Sequence, residues 1–149
     1  MTTTTSGVHA WLNAFADALG QRGALADVLI TTGFVSDVGR RDAIQIGDSI
    51  EGEQEWGLIG NRRRDEKFRI GGIIWVQTAG KGEQVIRDAR ERAFVLLAEI
   101  EDELRLRPTV GATNKLSAIT KYDVDQGATS DGRWVQIDFE VSNWKLLPS

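Results

Sequence analysis

The sequence predicts an α+β domain: a mostly antiparallel sheet with a long hairpin, packed by two main helices. Three observations carry that reading. Residues 83–106, EQVIRDARERAFVLLAEIEDELRL, repeat apolar residues at helical spacing. The segment RWVQIDFEVSNW (133–144) alternates apolar and polar positions. Two strand-like runs, EWGLIG and EKFRIGGIIWVQ, flank a basic turn at residues 61–64.

The first helix is expected from Ser6 onward, where Val8, Trp11, Leu12, Phe15, Ala18 and Leu19 keep helical spacing. Ser6 is a suitable N-cap, and Gly20 and Gly23 supply stop signals. DVLITTGF (27–34) is rich in β-branched residues and reads as a strand. VSDVGRRDAIQIGDSIEGEQ reads as a loop around a short strand near Ala43–Ile46. In the second hairpin arm Phe68, Ile70, Ile74 and Val76 share one face, while Ile73 and Trp75 make the other face apolar too. A strand apolar on both sides must be covered on both, by its own fold or by a partner. In the long helix Ile86, Ala89, Ala93, Leu96, Leu97, Ile100 and Leu104 form the stripe, opposite Arg87, Asp88, Arg90, Glu91, Glu101 and Asp102. Pro108 and Gly111 end it. KLSAITKYDV (115–124) and the 133–144 segment close the chain as strands joined by DQGATSDG, with Val135, Ile137, Phe139 and Val141 facing inward.

Length and composition suit one domain over residues 6–149, preceded by a flexible tail at 1–5. The N-terminal stretch has neither a charged leader nor a long apolar run and reads as no signal peptide. No run of about 18 apolar residues is present, so no membrane partner is expected. With no cysteine, a disulfide framework and a thiolate site are both excluded. A formal net charge of −4 disfavours stable nucleic-acid binding by the whole surface.

Catalytic chemistry is sparse. His9 is the one histidine and sits in the first turn of a surface helix, leaving no zinc-type site. No G-x-S-x-G elbow is present. TAGKGEQ (78–84) lacks the first glycine of a phosphate loop and the hydroxyl after its lysine, so it reads as a strand-to-helix turn. Asp48, Glu51, Glu53 and Glu55 form an acidic run without EF-hand spacing. No catalytic residue, cofactor or metal is expected.

What remains is charge. Arg62, Arg63, Arg64, Lys67 and Arg69 stand against Asp65 and Glu66, five cations to two carboxylates. The acidic run lies a few positions upstream. The two blocks can neutralise each other across the hairpin, can join neighbouring subunits, or can leave the arginines to touch DNA. Asp48, Glu51, Glu53, Glu55, Arg62, Arg63, Arg64, Lys67 and Arg69 are therefore the subunit-interface candidates.

Three segments carry a family resemblance: EKFRIGGIIWVQ, the helix RDARERAFVLLAEIEDELRLRPTVGA, and DGRWVQIDFEVSNW. The helix has R-A-x-x-L-L-x-x-I-E spacing and leads to the turn Pro108–Thr109–Val110–Gly111. The closing strand follows a G-R-x-x-x-I-x-F-x-V pattern at Gly132, Arg133, Ile137, Phe139 and Val141. Over roughly residues 6–145 the chain resembles the tail terminator proteins of long-tailed bacteriophages. The resemblance implies a structural virion protein without enzymatic activity, assembled in the host cytoplasm and located at the head–tail junction. It implies a homo-oligomeric ring, usually six-fold, that caps the head-proximal end of the tail tube and stops its polymerisation. Implied partners are the tail tube protein, the head-side connector or stopper, and the tape measure protein that sets tube length. Another junction ring protein, a stopper or tail completion protein, shares this size and habit. A small metal-assisted or acid–base enzyme using the 48–55 carboxylates, or a nucleic-acid-binding module on the arginine turn, are the readings from other classes.

Overall fold

The computed structural model describes residues 6–33, 42–56, 64–111 and 116–147, with backbone alone at 55, 56, 64 and 145–147. The order is α1 (Val8–Gly20), a 3₁₀ turn (Gly23–Leu25), β1 (Leu29–Thr31), β2 (Ala43–Trp56), β3 (Arg64–Ala79), α2 (Glu83–Leu106), β4 (Leu116–Ala128) and β5 (Gly132–Leu147). The strands form one five-stranded sheet in the order β1-β2-β3-β5-β4. Only β1–β2 is parallel; the other three pairs are antiparallel. This is the expected α+β architecture; β2 and β3 form the hairpin pair, and of the expected first arm EWGLIG only residues 55 and 56 belong to β2, while 57–60 lie outside the described residues.

Both helices lie on the same face of the sheet. Trp11 of α1 stands edge-on to Phe68, and its indole N–H donates to Ser117 Oγ at 3.0 Å. Phe94 of α2 stands edge-on to Tyr122, and Arg90 donates to Gln126. Under them Ile44, Ile46, Phe68, Ile70, Ile74, Val76, Val135, Ile137, Phe139 and Val141 form the sheet side of the core. The α2 stripe read from the sequence is the buried one, apart from the partly buried Ile86. Each fully buried aliphatic or aromatic side chain contributes about 1.5–3 kcal/mol. Gly72 makes room for this core: a Cβ there would meet the Phe139 ring and lie 2.9 Å from Gln45 O.

Four local features differ from the sequence reading; in one, the expected DQGATSDG turn shrinks to residues 129–131, because Asp125–Ala128 pair with β5 and belong to β4. The stretch 43–56 is one continuous strand, acidic run included, although Asp, Glu and Gly disfavour strands. Pairing with β3 from Ala43 to Trp56 overrides that weak local preference. The 27–34 segment is a strand only at Leu29–Thr31, and Phe34 lies outside the described residues. The formal N-cap of α1 is Gly7, while the Ser6 hydroxyl accepts from Val8 N–H one position earlier. The turn 78–84 is the expected strand-to-helix turn, with Gly80 and Gly82 at φ 114° and 106°. Glu83 then heads α2, which opposes any anion at that helix end. In the turn after α2, Val110 takes φ 45°, a strained value for a β-branched residue. Its side chain is buried in the core.

Polar groups set how α1 sits. Ser117 Oγ donates to Asn143 Oδ1 at 2.6 Å, and Asn143 Nδ2 donates to Phe68 O and Val141 O. Buried Glu66 accepts from Gly7 N–H at 2.7 Å, placing a carboxylate at the positive end of α1. At the other end Arg22 bridges Glu99 at 2.7 Å and Glu103 at 3.1 Å, both on α2. The Glu99 hydrogen bond, opposed by desolvation and aided by Glu103, raises the Arg22 pKa further above its already high ordinary value.

Two outcomes follow for stability. Replacing Asn143 with Leu removes the buried acceptor of the Ser117 hydroxyl and a side-chain donor to the Phe68 and Val141 carbonyls, so urea unfolding should register a loss of about 1–3 kcal/mol. Arg22→Met should also destabilise. A group whose pKa rises on folding stabilises fully below its unfolded value and loses that contribution only as pH climbs through the folded one. For Arg22 that window is strongly alkaline, so Arg22's own titration should not change the stability difference from wild type between about pH 7 and 9. Thermal melts across that range test it.

Candidate assembly interface

The second face of the sheet carries no helix among the described residues. Strand alternation puts Gln45, Ser49, Glu51 and Glu53 of β2 there, with Lys67, Arg69, Ile73 and Trp75 of β3 and Trp134, Gln136, Asp138, Glu140, Ser142 and Trp144 of β5. At one end Trp75 and Trp134 stack at 5.3 Å between ring centroids, and both are half-buried. Trp134 also fills the space over Gly127, where a Cβ would collide with the indole. The apolar second face of β3 is thus covered partly by its own sheet neighbours.

Toward the hairpin end the same face opens into a groove of about 480 Å³, lined by Glu51, Glu53, Lys67, Arg69, Leu116 and Trp144, among others. Leu116 and Trp144 sit opposite each other in the β4–β5 register and are both exposed. An exposed indole and leucine beside charges of both signs have the composition of a protein–protein contact: apolar anchors with a polar rim.

The β2–β3 register decides where the candidate charges go. Glu51 lies opposite Arg69, Glu53 opposite Lys67, Glu55 opposite Asp65, and Arg64 opposite Trp56. Arg69 Nη2 meets Glu51 Oε1 at 2.9 Å within one chain. For this pair the structure realises neutralisation across the hairpin. Asp48 does not join the group. It lies by the irregularity between Ile46 and Ser49, in a separate hollow of about 150 Å³ that also involves Lys121, Asp123, Asp138 and Glu140. The side chains of Glu55 and Arg64, and residues Arg62 and Arg63 altogether, lie outside the described residues.

The apolar half of the groove was not among the candidates read from sequence. Its signal was present: once Val135, Ile137, Phe139 and Val141 face inward, Trp134 and Trp144 must face out. An outward indole is the anomaly in that strand. Among the described residues no group of three His, Asp or Glu side chains is placed to hold a metal ion. None of the described helices is long and apolar enough to cross a membrane. No protein-family model matches the chain, and no curated protein matches it.

The exposed Glu51–Arg69 pair, with side chains 67% and 49% accessible, should contribute little to folding. A double-mutant cycle with Glu51→Ala and Arg69→Ala should return a coupling below about 1 kcal/mol, shrinking further in molar salt.

Proposed function

We propose that the chain is a structural subunit of a ring at the head–tail junction of a long-tailed phage, acting as the tail terminator. The observation that carries this reading is the helix-free sheet face, where Leu116 and Trp144 stand exposed beside Glu51, Glu53, Lys67 and Arg69. Such a face suits contact with another protein subunit: burial of the indole and leucine supplies affinity, and the charged rim sets orientation. The resemblance over the helix, the 108–111 turn and the closing strand gives that contact its context. The action is steric. One ring face accepts the last tube subunit, the other refuses a further one and receives the head-side connector, and no bond is made or broken.

Light scattering over a concentration series, with negative-stain images of the same fractions, tests the ring. Assemblies of several subunits that decorate one end of purified tail tubes are the expected result. Trp144→Glu should abolish end decoration while leaving the circular dichroism spectrum intact. A protein that stays monomeric and leaves tube ends bare sinks the proposal. Rings that bind only the head-side connector would favour the stopper reading instead.

A further inference from the structure

Resting on the ring reading, we propose that copies of this chain join through their sheet edges, β4 of one copy pairing antiparallel with the outer half of β2 in the next. The sheet ends in two unlike edges. Among the described residues β4 is the last strand on one side. On the other, β1 covers β2 only at Ala43–Gln45, and no described strand pairs with the outer flank of Ser49–Glu53. A long uncovered edge is a template for another strand.

The backbone directions are compatible. Leu29 N–H donates to Asp42 O at 2.9 Å, so Asp42, and by alternation Ile44 and Ile46, turn their polar groups away from β3. Gly72, opposite Ile46, therefore points its own toward β5, where Phe139 points back. Tyr122, opposite Phe139, is left facing the open edge of β4, as are Val124 and Gln126. The Gln126 N–H agrees with this direction, since it donates locally to Asp125 Oδ1 at 2.9 Å. On β2 the irregularity between Ile46 and Ser49 advances β3 by one residue, so Ile50, opposite Ile70, faces outward again. Tyr122 and Ile50 can thus exchange both backbone hydrogen bonds.

The side chains agree as well. Ile50 and Tyr122 are 51% and 52% exposed and both lie on the helix face, one at each edge. Phe94 and Val124, also exposed, flank Tyr122 with apolar surface. β2 and β4 run antiparallel within the sheet. Rotation about an axis along the strands keeps their direction and keeps the helices on one side. The next copy's β2 therefore meets β4 antiparallel, the arrangement a closed ring needs. Setting Ile50 opposite Tyr122 also sets Glu51 opposite Lys121 and Ser49 opposite Asp123. A shift of two residues would oppose Glu51 to Asp123.

The absence of cysteine makes the test direct. Glu51 and Lys121 would form a non-hydrogen-bonded pair, with Cα atoms about 4.5 Å apart, within reach of a disulfide. Oxidised Glu51→Cys/Lys121→Cys protein should run as a ladder of covalent oligomers, while an equal mixture of the two single variants should stop at dimer. Each single variant alone should remain monomeric on the same gel. Ile50→Pro, which removes an N–H aimed at the open edge and spares the β3 pairing, should weaken association at least about tenfold. Rings in the micrographs without cross-links overturn the edge pairing and leave the ring reading standing. A ladder from protein that never caps a tail tube leaves the edge pairing standing and overturns the terminator reading. Covalent dimers from either single variant would indicate two-fold pairing and overturn the proposal.

Discussion

The structure depends on β3 being hydrogen-bonded on both sides. It pairs with β5 along its whole length and with β2 from Arg64 to Trp75. A strand held this way has no freedom of register: sliding by one residue would move Phe68, Ile70, Ile74 and Val76 out from under the helices. Its alternation is imposed on both neighbours, and through β5 on β4. Which residues of the molecule are core, which form the helix-free face and which present their amides to an edge all descend from that parity.

The polar interactions inside the core serve the same end. Asn143 caps the carbonyls of Phe68 and Val141 and holds Ser117, which in turn receives the Trp11 indole. Glu66 ties the start of α1 to β3, and Arg22 ties the segment after α1 to α2. These are directional contacts on a layer that hydrophobic burial alone would leave free to slide. The result is a firm scaffold covered by helices on one side, with its charged and aromatic features on the other side and along its edges.

Charge behaves differently from the impression that a one-dimensional reading gives. An acidic run and a basic run a few residues apart suggest two opposing patches. Antiparallel pairing instead interleaves them, putting Glu51 beside Arg69 and Glu53 beside Lys67 on one small surface. The resulting groove is nearly balanced in charge, and its apolar lining comes chiefly from Leu116 and Trp144. Under the proposed assembly, those apolar side chains would carry affinity and the charges orientation.

Taken alone, the sequence determined the α+β class, the bounds of α2, the α2 stripe, the inward face of β5 and the two apolar faces of β3. Each of these is a local periodicity, and periodicity follows from backbone geometry that every helix or strand shares. The strand character of 48–54 was decided only by the tertiary structure, because those residues are weak strand formers held by β3. So was the separation of Asp48 from Glu51 and Glu53, which depends on an irregularity that no spacing reveals. Leu116 and Trp144 belong to different strands, and the groove they share exists only because β4 pairs with β5 in one register. Contacts of that kind join residues distant in the chain, and their geometry is set by packing, which no local pattern encodes.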